Sequence, residues 1–139
     1  MLITGAAGGI GRATVHFFAA QGWRVIGVDR AAFGEAFPPS GLFIQADIAS
    51  AEDMETIFSQ ARAFTGDLNA LVNNAAVQIV KPLLETSVEE WDAAMASNLR
   101  SVFLASKLAH PLLKASGGGA IVNMSSVHAI QTSANIASY

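Results

Sequence analysis

Five short apolar runs recur along the chain, separated by longer segments in which apolar residues return every three or four positions. That alternation predicts βαβ units closing a parallel sheet. The runs are Met1–Thr4, Trp23–Val28, Leu42–Gln45, Leu68–Val72 and Ala120–Met124, each too short and too apolar for an exposed helix and suited to burial on both faces. Between them, a first helix is expected from about Ile10 to Gln21, stopped by Gly22, which takes positive φ without a Cβ clash. A second starts at Ser50, whose hydroxyl can cap the Asp53 amide, and runs to about Phe64. The third is long. It runs from Thr86 or Ser87 to about Ser116, with Glu89 and Glu90 in its first turn and Gly117–Gly119 at its end. Pro111, lacking an amide to donate, is expected to bend its last turns. Only twelve residues separate Asp29 from Leu42, and Gly34, Pro38, Pro39 and Gly41 among them leave room for a loop or a single turn. Right-handed crossovers then favour a Rossmann-type, doubly wound α/β sheet in the order 3-2-1-4-5, as one domain over residues 1–139.

Composition narrows the class. With 139 residues, 52% hydrophobic and 14% charged, the chain reads as one globular domain with a core of its own. A net charge of −3 offers no basic stripe, so nucleic acid and anionic membranes are not expected partners, and a small anion would be held by local dipoles. The absence of Cys removes disulfides, thiol catalysis and cysteine-ligated metal, and fits an expected cytoplasmic setting. No signal-peptide pattern is visible, and charge or Gly interrupts every apolar stretch before the roughly 18 residues of a membrane span.

The candidate chemistry begins at Thr4-Gly5-Ala6-Ala7-Gly8-Gly9-Ile10-Gly11, which leaves the first run and opens the first helix. Glycines there allow a tight turn and close backbone approach to a pyrophosphate, which the helix amides and dipole hold. The plain structural reading is a turn, and strand-then-helix context favours the nucleotide. Asp29 ends the second run, where an acid accepts hydrogen bonds from ribose hydroxyls and repels a 2′-phosphate. Arg30 beside it can favour that phosphate, so NAD is preferred over NADP without excluding it. As a plain alternative, Asp at a strand end is a common turn residue.

With that loop in place, four further motifs resemble short-chain dehydrogenases/reductases in order and spacing. Asp47-Ile48 resembles the family's Asp-aliphatic pair beside the adenine, and Asn73-Asn74-Ala75-Ala76 its Asn-Asn-Ala-Gly motif. Asn98 matches the Asn that holds a water in the family's proton relay, and Ser126 and Tyr139 keep the family's thirteen-residue separation. The spacing Gly5-x-x-Gly8-x-x-Gly11 also resembles the sugar-nucleotide epimerase branch, whereas Asn-Asn-Ala-Ala favours the shorter dehydrogenases. The resemblance covers essentially the whole chain. It implies hydride transfer between a nicotinamide and a small alcohol or ketone, with Tyr139 exchanging the proton and Ser126 bonding the substrate oxygen. Gly5, Gly8, Gly9, Ile10, Gly11, Asp29, Arg30, Asp47, Ile48, Asn74, Ala75 and Ala76 would hold the cofactor. It also implies a homo-oligomer, dimer or tetramer, through the helix over 87–116.

A free phenol titrates near 10, so the Tyr needs a neighbouring cation. In the family this is a Lys four residues beyond the Tyr, whereas the sequence ends at Tyr139. The chain is therefore expected to be incomplete relative to the family fold, with an unprotected sheet edge. The competing expectation is a catalytically silent nucleotide-binding or assembly remnant.

Overall fold

The computed structural model describes residues 1–139. Five parallel strands, β1 (Leu2–Thr4), β2 (Ile26–Asp29), β3 (Leu42–Gln45), β4 (Ala70–Asn73) and β5 (Ala120–Asn123), lie in the order β3-β2-β1-β4-β5. The doubly wound sheet expected from the sequence is the one observed.

Period-two alternation along β1 divides the core between the two faces of the sheet. Leu2 joins Ile26, Val28 and Leu71 in the larger cluster, under helices α2 (Ala51–Thr65) and α4 (Ser101–Ala115). Ile3 joins Met1, Val15, Val25 and Phe33 on the opposite face, under α1 (Gly9–Ala20). The larger cluster holds 15 buried residues and the smaller one 6, so α2 and α4 carry most of the burial. At about 1.5–3 kcal/mol per fully buried aliphatic side chain, that face dominates the hydrophobic stabilisation.

Local chemistry sets the helix boundaries. After α1, Gly22 at φ +81° donates to Ala19 O and Trp23 donates to Phe18 O, while the Trp23 and Phe18 rings meet edge-on at 5.3 Å. This is a Schellman closure with its apolar contact. Trp23 is spent on the closure, so β2 begins at Ile26 rather than at the expected Trp23. Leu68 donates its amide to Leu112 O at 3.1 Å, and β4 accordingly starts two residues later than expected. Ser50 caps α2 through the Asp53 amide, as its position predicts.

The long third helix is a helical run of three pieces. Ser87 and Glu90 form a reciprocal capping box at the start of α3 (Val88–Met95), a π turn spans Ala96–Arg100, and α4 follows. Pro111 sits inside α4, which continues past it to Ala115. Between β2 and β3 there is no helix, as expected, but the loop carries its own small core. Phe33 is buried and packs edge-on against Phe37 at 4.8 Å, and Gly27 leaves room for the Phe37 ring, which a Cβ there would approach to 2.8 Å. Strand β5 departs from the expectation of burial on both faces. All four of its residues are exposed: it lies at the end of the sheet, and α4, which packs beside it, buries none of them.

Candidate functional site

Strand order reverses between β1 and β4, and their carboxyl ends diverge around a cleft of about 510 Å³. Crevices of this kind are where open parallel sheets place their ligands. Two sequence-distant segments are bonded together there. The buried Thr4 hydroxyl oxygen accepts from the amides of Asn74 and Ala75, both at 3.1 Å, and Asn74 Nδ2 donates to Thr4 O at 3.0 Å. Asn74 is thus a buckle between β1 and β4, and Gly5 passes beneath it at φ +68° with no room for a Cβ. Gly11 is equally constrained, since a Cβ there would lie 1.9 Å from Gly5 O. Gly9 differs. Its Cβ would meet nothing within 4 Å of the protein, and it lines the cleft at the first position of α1. No side chain caps that helix start and no acid lies in its first turn, so its amides and dipole face the cleft ready for an anion.

The far wall is built from β2 and β3. Asp29 Oδ2 accepts from the Ala7 amide at 2.9 Å and Oδ1 from the Ala31 amide at 2.9 Å, so the carboxylate shapes the glycine loop while keeping lone pairs toward the cleft. Arg30 reaches Asp47 Oδ2 at 4.0 Å across the rim. Asp47 Oδ1 accepts from the Ala49 amide, while its own amide donates to Asp53, and buried Ile48 supplies an apolar wall. All twelve residues that the sequence pointed to for a cofactor line this one cleft.

A second cleft, of about 240 Å³, adjoins the first and shares Ala75 and Ala76 with it. Asn98, Ser126 and Tyr139 all line it, brought there from the π turn, from the end of β5 and from the last residue of the chain. Asn98 lies within the π turn, a helical irregularity that often marks functional positions. Its side chain accepts from the Val77 amide and donates to Val77 O, both at 2.8 Å, clamping the loop that leaves β4. Ser126 caps a 3₁₀ turn (Val127–Ala129) through the His128 amide at 3.3 Å. No charged side chain lines this cleft. An aprotic lining of Met95, Leu99, Val102 and Met124 beside a hydroxyl and a phenol suits proton exchange with a neutral oxygen.

Several contributors have no sequence signature. Val77 and Ser97 line the first cleft, and Arg12 donates to Ala7 O and Phe33 O, tying the β2–β3 loop to the glycine loop. His128 stacks edge-on to Tyr139 at 5.9 Å, with Nδ1 buried and unpartnered. Their roles depend on which segments meet in three dimensions.

Comparison with known proteins places this architecture. The family model described as short chain dehydrogenase matches residues 1–139. A tropinone reductase homolog of Arabidopsis thaliana is 40% identical over 135 residues, covering 91% of this chain and 51% of the relative. The crystal structure of 3-ketoacyl-(acyl-carrier-protein) reductase from Brucella melitensis complexed with NADH superposes with a TM-score of 0.91 at 31% identity, covering 99% of this chain and 61% of that one. 4-Hydroxyisoleucine dehydrogenase complexed with NADH and succinate gives 0.89 at 25% identity, covering 100% of this chain and 64% of the other. The chain spans about half the length of the curated relatives it matches. Glycine loop, buckle, strand order and the family match over residues 1–139 agree, and the chain belongs to the short-chain dehydrogenase/reductase family.

Proposed function

We propose that the chain is the nucleotide-binding and catalytic-Tyr portion of an NAD(H)-dependent oxidoreductase that interconverts a small alcohol and its ketone. One observation carries the reading: the cleft bounded by the glycine loop and Asp29 opens through Ala75 and Ala76 onto the cleft holding Ser126 and Tyr139. The residues present fit a dinucleotide. Gly9 leaves the uncapped start of α1 open to a pyrophosphate, Asp29 keeps acceptors for ribose hydroxyls, and Ile48 offers an apolar face to an adenine. The nicotinamide, when bound, supplies or accepts the hydride. Ala75 and Ala76, having short side chains, leave a ring room at the junction of the two clefts. Tyr139 holds the exchangeable proton and Ser126 donates to the substrate oxygen as charge develops there. Asn98 fixes the loop after β4 and stands where the family holds a relay water.

Support comes from the relatives. Two similar structures are NADH complexes, and their names, 3-ketoacyl-(acyl-carrier-protein) reductase and 4-hydroxyisoleucine dehydrogenase, describe reactions at a ketone and an alcohol. The preference for NAD over NADP is supported by the Asp29 carboxylate on the cleft wall, which would accept from ribose hydroxyls and repel a 2′-phosphate, and by Arg30 reaching Asp47 at 4.0 Å. No helix is long and apolar enough to cross a membrane. The exposed apolar residues Val88, Trp91, Leu99 and Phe103 of the α3–α4 run are where copies of the chain would meet as a homo-oligomer.

Titration with NADH and NADPH tests the cofactor reading. NADH should bind more tightly than NADPH, and Asp29→Ala should weaken NADH by at least about tenfold while affecting NADPH less. Equal losses for the two would remove Asp29 from the role, and a nucleotide bound elsewhere would remove the whole reading.

A further inference from the structure

The segment that delivers Tyr139, residues 130–138, has no helix or strand of its own. Its hydrogen bonds are few and mostly local, and the one that ties it to a distant part of the chain leads to Lys81. The Lys81 amide donates to Asn135 O at 2.6 Å, and Lys81 pairs with Ile136 in an isolated parallel bridge. Ile136 is buried, and its carbonyl accepts from the Tyr139 amide at 3.2 Å. Asn135 holds φ at +63°, alone among the non-glycine residues in being positive, a left-handed turn that Asn adopts more readily than other side chains. Lys81 is itself fixed. Its Nζ lies 2.7 Å from Glu90 Oε1, while Glu90 Oε2 accepts from the Ser87 amide at 2.9 Å within the capping box of α3. An unbroken chain of contacts therefore runs from the start of α3 through Glu90, Lys81 and Ile136 to the backbone of Tyr139.

We propose that Lys81 is a positioning residue, strapping the Tyr139 segment to the first turn of α3 through its ion pair with Glu90. The proposal deepens the oxidoreductase reading, on which the importance of Tyr139 rests. Lys81 touches neither cleft, so it acts through Ile136 and not on substrate or cofactor. The side chains are 41% and 33% exposed, which keeps the pair accessible to water and limits its strength. Its value lies in where it anchors the backbone.

Amide hydrogen exchange on the chain without cofactor tests this separately from NADH binding. In Lys81→Met the Lys81 and Tyr139 amides should exchange about fivefold faster, as loss of a partly exposed pair allows, with the Asn98-held Val77 amide unchanged as a folded control. Lys81→Arg, which keeps the cation, should restore most of the protection. Glu90→Gln preserves the capping box, and combining it with Lys81→Met should open Tyr139 no further than Lys81→Met does alone. Unchanged exchange at Tyr139 in Lys81→Met, additive effects in the double variant, or no recovery with Arg would each overturn the strap. A chain that behaves as expected yet binds no NADH would keep the strap and remove the oxidoreductase reading.

Discussion

At the scale of single residues, the glycines of the loop divide by what surrounds them. Gly5 and Gly11 are required by the protein itself, since backbone or the Asn74 side chain already fills the space of a Cβ. Gly9 is required by nothing within 4 Å, so under the proposed cofactor reading its smallness serves the ligand. The two cases separate experimentally. Gly11→Ala should lower stability by about 3 kcal/mol through overpacking, visible as a fall in Tm. Gly9→Ala should leave Tm unchanged or raise it slightly, because Ala is the better helix residue, yet weaken NADH at least about tenfold by placing a methyl in the anion slot. A Gly9→Ala variant that binds NADH normally would move the pyrophosphate away from α1. Asp29 shows the same duality within one side chain, holding the Ala7 amide for the fold while facing the cleft.

Elements expose a different kind of dependence. The Lys81 ammonium, followed by the Ser87 amide, holds the Glu90 carboxyl below the ordinary glutamate value of 4.5. A carboxyl depressed in the folded state stabilises fully above its ordinary value, and that contribution is lost as pH falls through the folded value. Protection of the Lys81 amide should therefore hold near neutrality and decline below about pH 4.5, with Glu90→Gln showing a flatter response in the same exchange experiment. Elements also show where sequence reading stops. The glycine loop, Asp29, the Ser50 and Ser87 caps and the strand order were legible because each depends on residue type at short range or on alternation along the chain. The Asn98 clamp on Val77, the π turn and the strap spanning Lys81 to Asn135 were not, because they depend on how distant segments register once packed. Strand starts moved for the same reason: Trp23 closes α1 and Leu68 bonds to α4, contacts that override the local β pattern.

Across the whole molecule, the proposed binding and the proposed chemistry fall in two clefts that share Ala75 and Ala76. They should therefore be separable: Tyr139→Phe in the enzyme should abolish alcohol turnover while NADH affinity changes by less than about twofold, because the ring still packs and only the proton is lost. Retained turnover would show that the proton comes from another group. The Thr4–Asn74 buckle carries a further consequence, for the order in which the molecule is made. The Asp29–Ala7 contact links residues only 22 apart, whereas the buckle links residues 70 apart. A chain emerging from the ribosome can pair β1 with β2 and dock α1 early. Until β4 arrives, however, the Thr4 hydroxyl and the Thr4 and Gly5 carbonyls lack the partners that set the loop. The most local-looking motif in the sequence is thus completed by a distant strand, and the glycine loop takes its final shape only once residues 74 and 75 have been made.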